Sequence, residues 1–267
     1  MVRRLSQLGF IGFLGLRLAG CASSQEGNDM LAGTDESALD LGVVTSALTA
    51  IDAPIPAAMV QAMLATREEN ACKTRTVDAN DPNVVHVQLR GCTGRFGRHT
   101  IDGEVVITFS KNDDGTLRAD HQSVGLTVDG NDATRTGRAD ISFNGDARHV
   151  VWHGTRSGTN DRGEAISAVA DHTIDVSKAT GCSVLNGTST VTRAGHVVSS
   201  TLDAITSCVL PDGAHGCPTG EVRSTVEGHD MSITKTFDGS ATAIITITKP
   251  KHSVTRDVAM NCVPHTP

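Results

Sequence analysis

Aromatic residues are scarce in this chain of 267 residues, which contains no tyrosine, one tryptophan and six phenylalanines. Surfaces that stack on sugars or nucleobases are built mainly from these residue types, so their scarcity argues against both kinds of binding. Positive charge is also short, because 23 lysines and arginines stand against 30 acidic residues, for a formal net charge of -7. Nucleic-acid binding needs basic residues to displace counterions from phosphates. The composition therefore argues against a nucleic acid as partner.

Long hydrophobic runs are missing too, because none approaches the roughly 20 residues of a membrane-spanning helix. The chain instead begins with Arg3 and Arg4, followed by a short apolar stretch that ends near Leu16. A positive start before a short apolar region is typical of an export signal. The arginine pair also suggests a twin-arginine signal, but Ser6 stands where that motif prefers a large apolar residue. We therefore favour the general export route.

The signal ends in Leu18-Ala19-Gly20-Cys21, which resembles the lipobox of bacterial lipoproteins. The resemblance implies cleavage before Cys21, a diacylglycerol on its thiol and an acyl chain such as palmitate on the new amino terminus. Several acyl chains anchor a protein stably, because each buried CH₂ contributes about 0.8 kcal/mol. Since no Asp follows the cysteine, the resemblance also implies transfer to the outer membrane. An ordinary secretory signal cleaved near Ala22 is the alternative.

Six cysteines remain once Cys21 is set aside. An even set in an oxidising compartment indicates three disulfides, for which 15 pairings are possible. A metal site is disfavoured because no two cysteines have the close spacing of metal ligands. We predict pairing between neighbours in sequence: Cys72 with Cys92, Cys182 with Cys208, and Cys217 with Cys262.

Composition and periodicity divide the chain into four parts. Residues 1–20 form the signal, and residues 21–34, rich in small and polar types, form a flexible tether. Without the three arginines of the signal, 20 basic residues face 30 acidic ones, so membrane attachment should depend on acyl chains rather than surface charge. Residues 35–71 form a helical segment that precedes the β domain at residues 72–267.

Two short helices are predicted in the helical segment, separated by Pro54 and Pro56. The first begins after Asp35 or Ser37 and repeats apolar residues up to Ile51. The second covers Ala57–Glu69 and places three apolar residues on one face: Val60, Met63 and Leu64. Packing of these helices on the protein's own sheet is favoured over binding to a partner.

From Cys72 onward, apolar and polar residues alternate with the period of β-strands that have one wet face. Because no helical segment intervenes, we predict a mainly β domain: an antiparallel meander of about a dozen strands, rolled into a sandwich or a partly open barrel. The N-terminal helices would cover one mouth or edge. Five dipeptides suit tight hairpins: Asp114-Gly115, Asp129-Gly130, Asn144-Gly145, Asn186-Gly187 and Asp238-Gly239.

Four segments resemble uncharacterised lipoproteins of Gram-negative cell envelopes. They are Gly91–Gly97 (GCTGRFG), Ile101–Val105 (IDGEV), Cys217–Gly220 (CPTG) and Phe237–Ala243 (FDGSATA). The resemblance implies an envelope location, disulfides and an antiparallel β domain. It implies no catalytic residue.

Candidate catalytic and metal motifs are weak. Ser232 and Lys235 match S-x-x-K, but on a strand they face opposite ways. His149 and His153 would stand roughly 13 Å apart on a strand, too far for one ion. The eleven histidines are interpreted as solvated strand residues, and acidic turns such as Asn112–Asp114 as hairpin tips rather than calcium loops. We predict no enzyme activity, no cofactor and no metal.

Trp152 is the one candidate ligand-binding residue, interpreted as core or as part of a small apolar cavity. The leading hypothesis is a non-enzymatic, lipid-anchored structural or binding module at the outer membrane, on either of its faces. The alternative is a carrier that holds a lipid or other small apolar ligand within a curved sheet, since the stripes are aliphatic and few aromatics fill the interior. A hydrolase with an unrecognised site is the third hypothesis.

Overall fold

The computed structural model describes residues 47–48, 50–65, 72–93, 100–159, 163–210, 216–260 and 262–264. One named helix precedes thirteen strands. The elements are α1 (Pro56–Ala65), β1 (Lys73–Val77), β2 (Val84–Thr93), β3 (Thr100–Lys111), β4 (Leu117–Val128), β5 (Asn131–Asn144), β6 (Ala147–Thr159), β7 (Ala165–Ser177), β8 (Cys182–Arg193), β9 (His196–Cys208), β10 (Thr219–Val226), β11 (Ser232–Asp238), β12 (Thr242–Lys249) and β13 (His252–Ala259).

All thirteen strands belong to one sheet, in which each strand pairs antiparallel with the next one in sequence. The strand order therefore equals the chain order, and β1 and β13 are the two edges. The sheet is not closed. The predicted mainly β, antiparallel meander is confirmed, with one strand more than a dozen.

Four of the five predicted hairpin turns join consecutive strands. Asp114-Gly115 lies between β3 and β4, and Asp129-Gly130 lies between β4 and β5. Asn144 and Asp238 are the last residues of β5 and β11, and each is followed directly by its glycine. Each glycine has positive φ, from 55° at Gly145 to 88° at Gly115, which explains why the turns contain glycine.

The predicted hairpin at Asn186-Gly187 is wrong, because both residues lie inside β8. They form a bulge where β8 shifts register against β9. Gly187 has φ 145°, and a Cβ atom there would lie 2.2 Å from the backbone oxygen of Asp171. A bulge can require a glycine with positive φ just as a turn does, so an Asn-Gly dipeptide alone does not distinguish a bulge from a hairpin turn. The turn itself is Ala194-Gly195, with φ of 47° and 82°.

Helix α1 packs on the protein's own sheet, as predicted. Met59, Val60 and Met63 are completely buried in the main core cluster. Leu64, predicted on the same face, is 36 % exposed instead, because the buried face is centred on Met59 and Met63 and Leu64 lies at its edge. Of the first predicted helix, Ala47 and Leu48 are helical and buried, and the rest before residue 47 lies outside the described residues.

Two arginines tie this segment to the sheet. Arg148 on β6 donates a hydrogen bond from Nη2 to the backbone oxygen of Ile51 at 2.7 Å. Arg75 on β1 donates from Nη1 to the oxygen of Met63 at 2.7 Å. The inner face of β2 to β7 supplies the rest of the main cluster, in which α1 is embedded. The later strands carry two smaller clusters, around Ile233 and Ile245 and around Leu202, Ile205 and Val222.

The three disulfides join the pairs predicted from sequence. Cys72–Cys92 ties the start of β1 to β2, and Cys182–Cys208 joins directly opposed residues of β8 and β9. Cys217–Cys262 spans 45 residues and links the chain before β10 to the chain after β13. Cys21 lies outside the described residues. The bridges thus tie down both ends and the middle of the meander.

Candidate functional site

Trp152 lies on the inner face of β6, where it is 2 % exposed. Its strand neighbours are Ala139 on β5 and His172 on β7. The indole extends over the next inward positions, which are Gly137 on β5 and Gly154 on β6. A Cβ atom would lie 2.2 Å from the ring at Gly137 and 2.8 Å at Gly154. The two glycines therefore create the space that the ring occupies.

Two arginines stand beside the indole on the same face. Arg135 on β5 is paired directly with Arg156 on β6. The guanidinium carbon of Arg135 lies 5.7 Å from the centre of the indole, within range of a cation–π interaction. Burial lowers the pKa of Arg156 to about 10, which still leaves it charged at neutral pH. The pair places two guanidinium groups on this part of the inner face.

A small cleft of about 30 Å³ opens beside these groups. A water molecule needs roughly 10–15 Å³ by the same measure, so the cleft holds about two atoms of that size. Its polar lining includes both arginines and Ser189, and its apolar lining includes Ala168, Ala170 and Val191. Trp152 is buried, as the core interpretation expects, and its ring also lines this cleft. Whether it binds a ligand stays a prediction.

Two buried histidines contradict the prediction that histidines are solvated strand residues. His121 on β4 and His172 on β7 are 3 % and 4 % exposed. The imidazole of His121 meets the indole edge-on, with ring centres 5.0 Å apart. The pKa of His172 is lowered to about 4, mainly by burial, which the charge of Asp171 opposes and the charge of Arg135 assists. His172 is therefore neutral at pH 7. Both histidines occupy positions of their strands whose side chains alternate toward the inner face.

His149 and His153 lie on β6, as predicted, and face outward. Nδ1 of His149 donates a hydrogen bond to the carboxylate of Asp175 on β7 at 2.8 Å, and Nδ1 of His153 donates one to Asp171 at 2.6 Å. Both pairs are exposed on the surface. In the described part of the chain, no group of three or more metal-ligating side chains lies close enough to hold an ion.

The S-x-x-K residues lie on β11, as the alternation predicted. Lys235 points inward and is 2 % exposed, whereas Ser232 lies on the other face and is partly exposed. Of the acidic segments, Asn112–Asp114 forms a hairpin turn in which Asp114 accepts hydrogen bonds from Thr116. These hydrogen bonds lower the pKa of Asp114. The segment therefore acts as turn structure, as interpreted.

A polar cluster at the edge of the sheet had no signal in the sequence. His86 on β2 lies between two carboxylates, with Nε2 3.1 Å from Asp78 and Nδ1 in a short contact with Glu104. Gln88 donates a hydrogen bond to Glu104 as well. Hydrogen bonds to Glu104 and then Asp78 raise the pKa of His86. The cluster holds β1, β2 and β3 together electrostatically.

The fold defines a disulfide-bonded, mainly β protein built on a single antiparallel meander. Comparison of the chain with protein-family models, with curated proteins and with solved structures gave no match. Within the described ranges, no helix is both long and apolar enough to cross a membrane.

Proposed function

We propose that the chain is a lipid-anchored cell-envelope protein whose β domain is a non-enzymatic structural or binding module at the outer membrane. The observation that carries the proposal is the set of three disulfides within the β domain. Such bridges form and persist in oxidising compartments and are rare in the cytosol. They agree with the export signal and with the lipobox-like sequence that ends at Cys21.

Membrane attachment in this proposal depends on Cys21. The body of the protein is acidic, so it gains nothing from the negative charge of lipid headgroups. Acyl chains on Cys21 supply the attachment, and residues 21–34 act as the tether. Since Ala22 and Ser23 follow the cysteine, the outer membrane is the proposed destination.

One row of side chains on the outer face of β5 to β7 contains the residue types of a hydrolytic triad. Ser142 is directly opposed to His149, and His149 is directly opposed to Asp175, so the histidine lies between the serine and the aspartate as in a hydrolytic triad. The hydroxyl of Ser142, however, donates to the backbone oxygen of His149 at 3.5 Å rather than to its ring. A nucleophile needs its base within hydrogen-bond reach. The three residues therefore lack the arrangement that would activate the serine.

The attachment is tested with Cys21→Ala in the full-length chain, with Ala22→Ser as the matched control. We expect the control to be processed and to remain in the membrane fraction. The Cys21→Ala variant should lose acyl labelling and leave that fraction. If Cys21→Ala is still processed and stays with the membrane, the anchor is wrong.

A second candidate is a carrier that holds a lipid or other small apolar ligand within the sheet, curved as a partly open barrel. The cleft beside Trp152 favours it, because its lining combines apolar side chains with a few polar groups. Native mass spectrometry of the full-length chain tests it. A co-purified mass on the intact protein supports the carrier, and its consistent absence contradicts it.

A further inference from the structure

We propose that His196 and His229 together bind one divalent transition-metal ion, with Cu²⁺ bound most tightly and water in the remaining coordination positions. The site lies at the end of the sheet where β8 turns into β9 and β10 turns into β11. The inference goes beyond the proposed function, because it requires neither the lipid anchor nor the cleft beside Trp152.

The pairing of β9 with β10 brings the two histidines together, although they are far apart in sequence. His196 begins β9, and His229 lies in the turn that follows β10. At this end of the ladder the amide of Glu227 donates a hydrogen bond to the backbone oxygen of Val197 at 2.8 Å. Within the turn, the amide of His229 donates to the oxygen of Val226 at 3.2 Å. Backbone hydrogen bonds therefore hold both positions side by side.

The two imidazole rings have the separation that a shared metal ion requires. Their centres lie 5.5 Å apart, and their planes are inclined by 43°. An ion lies about 2.0–2.1 Å from each imidazole nitrogen that binds it, which places the centres of two ligating rings about 4.5–6 Å apart. Both residues are exposed, so each ring can turn a nitrogen toward the ion. One ion can thus contact both rings without a change in the backbone.

The charges around the pair suit a cation. Glu227 and Asp230 lie in the same turn as the second histidine, and both are exposed. Arg193, which is directly opposed to His196, donates hydrogen bonds to Glu164 from Nε at 3.0 Å and from Nη2 at 2.8 Å. The arginine's charge is therefore paired with a carboxylate, and the two acids of the turn make the site negative. A negative potential raises the local concentration of cations.

Two imidazoles favour a transition metal over Mg²⁺ or Ca²⁺. Imidazole suits Cu²⁺, Zn²⁺ and Ni²⁺, whereas Mg²⁺ and Ca²⁺ take oxygen ligands. Of these ions, Cu²⁺ binds a given set of ligands most tightly. Structural and catalytic zinc sites have at least three protein ligands, and no such group of three exists among the residues that the structure describes. The histidine pair is therefore an exchangeable site rather than a structural one.

Titration with Cu²⁺ tests the site. The full-length, oxidised chain carries Cys21→Ala, which removes the one cysteine outside the three disulfides and with it a metal-binding thiol. Isothermal titration calorimetry should detect one Cu²⁺ site that is tighter than any other, weaker binding of Zn²⁺ and no binding of Mg²⁺. Electron paramagnetic resonance of the Cu²⁺ complex should show coupling to two imidazole nitrogens.

His196→Gln and His229→Gln should each weaken binding at the tight Cu²⁺ site at least about tenfold and leave coupling to one imidazole, because each breaks the chelate. The double variant should lose little more than either single variant, since the chelate is already broken. The matched control is His252→Gln. His252 is exposed at the start of β13, at the same end of the sheet. Its substitution should leave the affinity for Cu²⁺ unchanged.

Four results would overturn the proposal: no tight Cu²⁺ site, equally tight binding of Mg²⁺, the same loss in His252→Gln, or single losses that add fully in the double variant, as independent sites would give. Circular dichroism verifies that each variant is folded. If one is not, the spectrum of the protein with both histidines decides, because coupling to fewer than two imidazoles contradicts the site.

The outcome is separate from that of the anchor experiment, because the titrated protein lacks Cys21. A failure of Cu²⁺ binding leaves the envelope proposal standing, and a failure of the anchor leaves this site standing.

Discussion

The indole of Trp152 occupies the position that a side chain at residue 137 would need. A Cβ atom built on Gly137 would lie 2.2 Å from the Cη2 atom of the ring, far inside van der Waals contact. The two residues lie on neighbouring strands, at successive inward positions. The glycine is thus a packing requirement of the only tryptophan, and the same ring forms one wall of the cleft.

Gly137→Ala should destabilise the protein by about 2–3 kcal/mol, because extra volume in a packed interior forces side chains and backbone to shift. Urea unfolding with the disulfides intact measures the change. The control is the same substitution in a Trp152→Leu background, where a smaller side chain leaves room for the methyl group. There the cost should fall below about 1 kcal/mol. Equal costs in both backgrounds would show that the ring is not responsible.

Removal of Cys217–Cys262 should be the most damaging loss of a disulfide. The bridge closes a loop of 45 residues, compared with 20 for Cys72–Cys92, and loop entropy alone predicts a cost of about 4 kcal/mol. The double variant Cys217→Ala/Cys262→Ala should also speed amide hydrogen exchange in β12 and β13, since β13 is an edge strand.

The matched control for that variant is Cys182→Ala/Cys208→Ala. It removes a bridge within the central β8–β9 ladder, which hydrogen bonds already hold along its whole length. Hydrogen exchange in β13 should stay as slow as in the unmodified protein. Faster exchange in β13 in both variants would mean that the bridges act globally rather than on the edge.

The meander and its disulfides were predictable for a common reason. Each strand pairs only with its neighbours in sequence, so residues close in sequence are also close in space. Strand alternation and glycine turns then fix the hairpins, and pairing between neighbouring cysteines follows. Cys217–Cys262 tests this logic hardest, because its bridge crosses four strands.

The cleft was less predictable, because its charged residues lie in the inward phase of the strands. Arg135 and Arg156 share that phase with Ala139 and Trp152, although strand patterning assigns charges to the wet face. His172 likewise falls between Ala170 and Ile174 in an apolar stripe. The alternation of the strands alone would have placed these three residues on the inner face. They were assigned to the wet face because charged and polar side chains usually lie there.

The stability that His86 contributes should depend on pH. Its pKa is raised by Glu104 and Asp78, so the contribution is fully present below the unfolded pKa of about 6.5 and is lost as pH rises through the folded pKa. His86→Gln should therefore cost more stability at about pH 5.5 than at about pH 8.5 in urea unfolding. Glu104→Gln, which removes the main partner, should reduce the same pH dependence. An equal cost of His86→Gln at both pH values would contradict the cluster's role.

His172 should act in the opposite direction. Its folded pKa of about 4 lies below the unfolded value of about 6.5, so the unfolded chain takes up a proton first as pH falls. Stability is unaffected above the unfolded pKa and is lost progressively down to the folded one. Between about pH 7 and pH 4.5 the loss from this residue should be about 2–3 kcal/mol.

His172→Leu removes this source of acid sensitivity, because leucine fills a similar buried volume and takes up no proton. The variant should lose about 2–3 kcal/mol less than the unmodified protein between about pH 7 and pH 4.5 in urea unfolding. The imidazole signals of His172 in an NMR titration give the second measurement, with a midpoint expected near 4. A midpoint above about 6, or parallel pH profiles for the two proteins, would show that the imidazole is solvated and that burial on the inner face of β7 does not hold it neutral.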